Sequence, residues 1–379
     1  MNIYDTAQNC LTDFINNRIQ SYDKKRNYDL GQSSRDNTSN LSKYISHRIL
    51  LEYDVIDQSL SKYKFYKIEK FIQEVFWRIY WKGWLEHRPD VWDDYIKYDT
   101  NKVVNHDYQN AISAKTDIDC FNHWVNELTE TNYLHNHARM WFASIWIFTL
   151  NLPWQLGANF FMKHLFDGDA ASNTLSWRWV AGLQTVGKHY QATSENIFKY
   201  TGKRFKPDNL NEISEPIEAD KIYAPKPIKL ENFKKKNDIL IIFDNDLCLD
   251  IFHTYDTYQD IYLVLLDNNE RKLKLSDKVF NFKMMLLNNI VTQYPKCKII
   301  NGNELNNILL RNKSVDIIYP GIGENLSFIT YEDNSNSSVN IICREKDLHC
   351  WKYAQKGFFN FKKNIPSIIK KFNRTLDMF

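Results

Sequence analysis

The stretch Asp167–Trp179, DGDAASNTLSWRW, places two aspartates, an asparagine, an arginine and two tryptophans within thirteen residues. It follows shortly after the apolar run MWFASIWIFTL at 140–150. Core packing would explain one of the tryptophans, but a purely structural helix has no use for so many charged groups. We expect this stretch to line a site that holds a flat, polar, redox-active ring beside a second flat molecule.

Hydroxyl-bearing residues cluster in SSRDNTSNLSKYI at 33–45. Thr38, Ser39 and Ser42 are placed to cap a following helix and to offer hydroxyl and amide groups to a pyrophosphate. An ordinary capped loop is the alternative for this segment taken alone.

The segment EVFWRIYW at 74–81 puts an acceptor, a ring and a cation on one helix face, because Glu74 is three residues from Trp77 and four from Arg78. The alternative is an i,i+4 ion pair on a packed helix.

A buried Arg139, in HNHARM at 135–140, needs an anion, and either aspartate of DGD can supply it as a bidentate pair. The two histidines of HNHARM are two residues apart and so do not share a helix face, and we predict no metal site.

The chain divides into three regions by pattern. We predict a helical domain at 1–205, a proline-containing linker at 206–236 and an α/β domain at 237–379. Short apolar runs alternate with helical patterns in the last region, which predicts a parallel, doubly wound sheet. Its strands are predicted at 238–243, 261–266, 298–301, 315–320 and 339–344, and its helices at 276–294 and 303–311.

Charge and cysteine usage limit the partners and the compartment. With 49 basic and 46 acidic side chains the formal charge is only +3, so any phosphate-binding surface must be a local patch, for which the cations between Lys188 and Lys206 are a candidate. The alternative is a solvated face. None of the six cysteines forms a C-x-x-C pair, the N-terminus lacks a signal pattern, and the longest apolar run is too short to span a membrane. We therefore expect a cytoplasmic protein with no membrane contact.

In series, over roughly residues 25–205, these segments resemble the flavin-binding domain of the photolyase/cryptochrome family. The resemblance implies FAD, active in its reduced form, as the cofactor. Positions carried over as cofactor-binding are Tyr28, Thr38, Ser39, Asn40, Leu41, Ser42, Arg78, Arg139, Asp167, Asp169 and Asn173. Asn173 falls where the family faces flavin N5, and a neutral amide there tolerates an anionic, reduced flavin better than a carboxylate would.

The resemblance also implies a substrate, UV-damaged DNA, and a reaction. Glu74, Asn136 and Met140 correspond to active-site positions, with Glu74 expected to act as a protonated or proton-sharing acid. Substrate-binding positions are Trp77, Trp179, His137 and Arg35, although His137 replaces the family's usual arginine. The (6–4) photolyases carry histidines where this chain has Asn136 and Met140, which favours cyclobutane pyrimidine dimers as the lesion.

A relay of aromatic side chains is implied as well. Trp177 corresponds to the flavin-proximal member and Trp154 to the middle one. Trp177 and Trp179, two residues apart in a segment that enters a helix, are expected to point in different directions. Tyr98 lies nearest the outer position, with Trp92 as a competitor.

The domain order departs from the family, in which an α/β antenna domain comes first. The interpretation we favour is an antenna-like domain displaced to the C-terminus, contributing light harvesting at most, and the sequence has no motif that identifies an antenna chromophore. An unrelated α/β accessory domain is the alternative.

The implied function is light-driven splitting of cyclobutane dimers, with no obligatory protein partner. A blue-light photoreceptor that signals through a partner, and a repair enzyme restricted to single-stranded DNA, are the other functions that the sequence leaves open.

Overall fold

A computed structural model describes residues 2–100, 105–219, 221–230, 234–248, 257–311, 314–332 and 339–372. Up to residue 200 the regular structure is helical. The helices are α1 (Ile3–Asn17), α2 (Tyr22–Lys25), α3 (Ser42–Ser46), α4 (Glu52–Lys62), α5 (Phe65–Glu86), α6 (Asp90–Lys97), α7 (His106–Ile112), α8 (Asp119–Thr131), α9 (Asn136–Ser144), α10 (Trp154–His164), α11 (Ala170–Val180) and α12 (Ser194–Tyr200).

The second half contains a five-stranded parallel sheet in the order β3-β2-β1-β4-β5. Its strands are β1 (Ile239–Phe243), β2 (Asp260–Val264), β3 (Cys297–Ile300), β4 (Val315–Ile318) and β5 (Val339–Ile342). The helices are α13 (Asp277–Gln293), α14 (Gly302–Leu310), α15 (Glu324–Glu332), α16 (Glu345–Trp351), α17 (Phe358–Lys362) and α18 (Ile365–Phe372).

The predicted fold class, a helical region followed by a parallel doubly wound sheet, is confirmed. The strands coincide within two or three residues with the apolar runs that predicted them, and every residue of β1 is buried. A strand covered on both faces has no polar side to alternate with, which is why its sequence is a continuous apolar run.

The apolar run at 140–150 is a buried helix, as predicted. It forms the end of α9 and a π-helical turn at Ile145–Thr149, and the rings of Trp141, Phe142 and Trp146 have no exposed surface. In the part of the chain that the structure describes, no helix is both long and apolar enough to cross a membrane.

Helix α5 is the central element of the helical half. One face is buried, while Glu74, Trp77, Arg78 and Trp81 lie on a half-exposed face. Helix α16 packs on α5 so closely that a Cβ on Gly83 would lie 2.6 Å from Trp351 and 2.9 Å from Ala354. The residues after the sheet are therefore part of the layer that surrounds α5, a closer association than a separate light-harvesting domain would need.

The two halves are joined by a buried charge network centred on Arg48. Its guanidinium donates to both oxygens of Asp347, at 2.7 and 2.9 Å, and to Asp246 at 3.0 Å. Glu52 lies 3.4 Å from its Nε, and Arg344 makes a bidentate pair with Asp246. Arg48 adopts φ of 50°, a left-handed conformation that favours glycine, so its contacts offset a local backbone cost.

We expect Arg48→Met to lower the free energy of unfolding by about 3–5 kcal/mol, since it leaves buried carboxylates without their cation. Burial alone would raise the pKa of Asp246, but Arg344 and Arg48 lower it to about 2. A depressed carboxyl pKa stabilises the fold above the unfolded value near pH 4, and this contribution is lost as the pH falls toward 2. The cost of the substitution should therefore be largest at neutral pH and shrink in acid, as measured by urea unfolding.

Lys206→Met is the matched control, because the pair of Lys206 with Glu195 is exposed and 3.3 Å long. Its removal should change the stability by less than about 1 kcal/mol. Equal effects of the two substitutions would show that the Arg48 network does not hold the halves together.

Candidate functional site

The first part of the site is the predicted ion pair between Arg139 and Asp167. Arg139 Nη2 donates to Asp167 Oδ2 at 2.8 Å. The predicted bidentate geometry is wrong, because the Nε of Arg139 donates to the carbonyl oxygen of Leu134 instead. Burial acts to raise the pKa of Asp167, but Arg139, the Ser42 hydroxyl and Arg78 together hold it below its usual value. The carboxylate of the first DGD aspartate is thus charged at neutral pH and fixed between α9 and the start of α3.

The second part is an ion pair between α5 and the N-terminus of α11. Arg78 Nη2 donates to Asp169 Oδ2 at 2.9 Å, and its Nε donates to Glu52 at 3.2 Å. Asp169 also caps α11 by accepting the backbone N–H of Ser172 at 2.7 Å. Burial works against the charged form, but Arg78 and Lys82 lower the pKa of Asp169 to about 2.

Asn173 lies in the first turn of α11 and is buried. Its Nδ2 donates to the carbonyl oxygen of Ala158 at 2.9 Å, which fixes the amide against α10. A neutral, oriented amide therefore lies close to two compensated ion pairs.

The hydroxyl segment reaches this site but does not cap a helix. Helix α3 begins after Leu41 without a side-chain cap, so the predicted capping role of Thr38, Ser39 and Ser42 is wrong. Ser39 Oγ instead accepts the N–H of Leu41 at 3.4 Å, and Asn40 takes up a left-handed turn with φ of 57°. The side chain of Leu41 is fully buried in the core, which leaves only its backbone to contact a cofactor.

Glu74 and Trp77 face the same side of α5, as predicted, but each already has a protein partner. Glu74 Oε1 lies 2.7 Å from Arg26 and 3.5 Å from Lys70. Glu74 is therefore paired with two cations of the chain, and its role as a proton-sharing acid stays a prediction. The ring of Trp77 stacks on Phe358 of α17, with the centroids 3.6 Å apart and the planes 11° from parallel. That contact was not foreseen.

The two tryptophans of α11 point in different directions, as expected, but they lie near the end of the helix and not at its start. Trp177 is buried against Phe161, with 5.0 Å between the ring centroids. Trp179 is partly exposed and stacks with Tyr190 at 5.7 Å. Residues two apart on a helix are about 200° apart around its axis, which explains the divergence.

Beyond Trp177, the predicted relay of aromatic side chains includes Tyr95, which the sequence did not predict. Trp177 lies against Gly157, one turn of α10 from Trp154. Trp154 stacks with Tyr95, whose ring is 5.5 Å from that of Trp92. Tyr95, and not Tyr98, is therefore the tyrosine that meets Trp154. The three-residue spacing places Trp92 and Tyr95 on one face of α6, but it does not reveal that Trp154 is the stacking partner.

The remaining predicted residues have mixed surroundings. His137 is buried, with Nδ1 2.8 Å from the carbonyl oxygen of Asn27 and its ring stacked on Trp141 at 4.2 Å, so it has internal partners in place of an open face. Arg35 pairs with Glu127 and lies over Tyr133.

Tyr28 packs edge-on against Tyr200 at 5.1 Å. On α9, Asn136 is exposed and Met140 is half-buried. Within the part of the chain that the structure describes, neither residue has the hydrogen bond and ring contact that His137 has.

A cavity of about 80 Å³ lies between the helical half and the carboxyl ends of the strands. Its wall includes Lys82, Asp169, Arg271 and Glu86. Burial raises the pKa of Glu86 to about 7, and its carboxylate accepts from the hydroxyl of Tyr319 at 2.6 Å. Open parallel sheets offer ligand crevices at this edge, but a volume that holds only a handful of waters is far too small for an aromatic chromophore.

The donor set fits a flavin. Asp167 Oδ1 and Trp177 Nε1 are buried and make no hydrogen bond of normal geometry to any part of the chain that the structure describes. Such atoms require polar partners, and a flavin ring and its ribityl chain carry both donors and acceptors. Over the same residues, no group of three or more His, Cys, Asp and Glu side chains is arranged to hold a metal ion.

The two ion pairs join α5 and α9 to the residues that precede α11, in the helical half of the chain. Residues 71–210 match the family described as the FAD binding domain of DNA photolyase. Over these residues the chain therefore resembles the FAD-binding domain of DNA photolyases.

Two named relatives and one solved structure are similar to part of the chain. The chain is 24% identical over 214 residues to the deoxyribodipyrimidine photo-lyase of Vibrio cholerae, covering 54% of this chain and 44% of that protein. It is 32% identical over 142 residues to the deoxyribodipyrimidine photo-lyase of Streptomyces griseus, covering 36% and 30%. A Synechocystis sp. PCC6803 cryptochrome structure is similar over 52% of this chain and 43% of that one, with 19% identity and a TM-score of 0.46. The chain spans about half or less of the length of these relatives.

Gly157→Ala tests the contact that positions Trp177. A Cβ at this position would overlap the six-membered ring of the indole. We expect the substitution to destabilise the protein by about 1–3 kcal/mol and to shift the tryptophan emission spectrum, because the ring must move in a packed core.

Gly357→Ala is the control, since a Cβ there has nothing within 4 Å and the backbone has negative φ. It should cost a few tenths of a kcal/mol and leave the emission unchanged. If Gly157→Ala is equally mild, Trp177 is not held against α10.

Proposed function

We propose that this protein binds FAD and uses light to split cyclobutane pyrimidine dimers in DNA. The observation that carries the proposal is the pair of compensated ion pairs, Arg139–Asp167 and Arg78–Asp169, beside the neutral amide of Asn173, within a domain of the photolyase FAD-binding family. The activity of the longer relatives supports it at the level of the family.

FAD would be held by residues on both sides of this site. Arg78 and Arg139 present guanidinium groups, and Asp167 presents a carboxylate oxygen that makes no hydrogen bond of normal geometry to the described chain. Thr38 and Ser42 add hydroxyls, and Asn40 and Leu41 add backbone groups from the same loop. Tyr28, Ser39 and Asp169 complete the predicted set.

When bound and reduced, FAD would supply one electron to the substrate after absorbing light and would take it back once the dimer has opened, because the splitting is redox-neutral. The protein's part is electrostatic and geometric. Asn173 adds no negative charge next to the flavin, whereas an aspartate there would repel a reduced, anionic ring. The two ion pairs compensate the buried carboxylates, so the site is polar without a net negative field.

The dimer must leave the duplex to approach the flavin, as photolyases among the base-flipping enzymes do. Trp77 and Trp179 are proposed to contact the flipped pyrimidines, with a stacking energy of about 1–3 kcal/mol per base. Glu74, held by Arg26 and Lys70, would accept from the N–H edge of a pyrimidine as a carboxylate. Asn136 and Met140, one turn apart on α9, complete the pocket.

The test is repair by purified protein. We expect non-covalent FAD to be released on denaturation, and blue light to restore a dimer-containing oligonucleotide when the protein is reduced. A well-folded protein that cannot be loaded with FAD would overturn the whole proposal.

Single- and double-stranded substrates should be compared in the same assay. Repair of single strands alone would restrict the function to that substrate. FAD that responds to blue light with no repair of either substrate would favour a photoreceptor of the cryptochrome kind.

Substitutions of the two tryptophans of α11 should have different effects on photoreduction and on DNA binding. Trp177→Phe should slow photoreduction of oxidised FAD but leave repair by chemically reduced protein nearly unchanged, because Trp177 lies on the aromatic series toward Trp154. Trp179→Ala should weaken binding of dimer-containing DNA by about 1–3 kcal/mol, with little effect on undamaged DNA or photoreduction.

Equal loss of damaged and undamaged DNA in Trp179→Ala would mean that the lesion pocket lies elsewhere. Normal photoreduction in Trp177→Phe would remove Trp177 from the electron path.

A further inference from the structure

Two adjacent phenylalanines in α17 have opposite surroundings. Phe358 is 6% exposed and stacks on Trp77, the residue assigned to the lesion. Phe359 is 81% exposed. Packing explains the first ring but gives no reason for a large aromatic side chain held in solvent at the second position.

Helix α17 is fixed along α5 by several contacts. The hydroxyl of Tyr80 donates to the carbonyl oxygen of Lys356 at 3.0 Å, and Lys362 lies 3.3 Å from Glu69. These contacts, with the stack on Trp77, place α17 beside the half-exposed face of α5. The exposed ring of Phe359 is thus carried on a rigid element next to the proposed lesion pocket.

The surrounding charge is strongly positive. Between residues 348 and 376 the sequence has six lysines, one arginine and no acidic residue, in a chain whose formal charge is only +3. Lys352, Lys356 and Lys363, which lie within seven residues of Phe359 in the sequence, are exposed. A local basic patch with an exposed ring is the combination by which proteins hold single-stranded nucleic acid.

We propose that α17 and its flanking lysines bind the DNA strand next to the lesion, with Phe359 stacking on an unpaired base and Lys356 and Lys363 contacting phosphates. The inference rests on the proposed function for the identity of the partner. An unpaired base is required because a duplex offers no free base face to a side chain on its surface. The α/β half then contributes to DNA binding through the residues that follow its sheet, in addition to any light harvesting.

The test uses the full-length protein and an undamaged, labelled 20-nucleotide oligothymidine, with binding followed by fluorescence anisotropy. Phe359→Ala should weaken binding about five- to a hundredfold, and Phe359→Trp should retain it, because a larger ring also stacks. Lys363→Gln should reduce the slope of log affinity against log salt by about 0.7, the value for one phosphate contact on a single strand.

Lys298→Gln is the matched control for charge. Lys298 is on β3, at the opposite edge of the sheet from β5, which leads into α16 and α17. It should leave both affinity and salt slope unchanged. Because Phe359 and Lys363 are exposed, all variants should keep the wild-type melting temperature.

Unchanged affinity in Phe359→Ala would overturn the proposal. So would a wild-type dimer in sedimentation that becomes a monomer in Phe359→Ala, since the ring would then contact a second copy. If Phe359→Ala loses oligothymidine binding while the wild-type protein shows no repair activity, the result supports this surface and rejects the repair function. If the wild-type protein repairs DNA and Phe359→Ala does not change the affinity for oligothymidine, only the proposed surface is rejected.

Discussion

The buried guanidinium of Arg48 is the interaction on which the rest of the structure depends. It brings Glu52 of α4 together with Asp246, which follows β1, and with Asp347, which lies in α16. A buried charge pair gains little stability over an apolar contact, but breaking one is costly. The network therefore favours the arrangement of the two halves that places Asp246 and Asp347 beside Arg48 and Arg344.

The candidate site is built from the same kind of interaction, in smaller units. Glu52 takes part in both, since Arg48 and Arg78 approach its two oxygens. Glu52 therefore links Arg48, which joins the two halves, to Arg78, whose partner Asp169 caps α11. A rearrangement of the α/β half would change the field at Asp169 and Asn173, even though no residue of that half belongs to the proposed flavin set.

The sequence was most informative where partners are local or where the chemistry leaves few choices. The strands could be predicted because a doubly covered strand must be apolar throughout. The pairing of Arg139 could be predicted because a buried arginine needs an anion and DGD offered one nearby.

Other features depend on contacts that no local pattern reveals. The partners of Arg48 lie 198 and 299 residues away. The predicted cap of α3 was wrong because Leu41 occupies the N-cap position, so that Thr38 and Ser39 lie ahead of it and Ser42 is already in the helix. Tyr95 was missed because its stacking partner Trp154 belongs to another helix.

The covering of α5 by residues from far along the chain has a consequence for biosynthesis. His87, at the end of α5, contacts the backbone oxygen of Trp351, 264 residues later. At about 5–20 residues per second, a ribosome needs roughly 13 to 50 seconds to cover that distance. During this interval the nascent helical half has an aromatic surface, around Trp77 and Tyr80, that Phe358 has not yet covered. A chaperone that shields aromatic surface during translation should therefore raise the yield of folded protein more than one added after release.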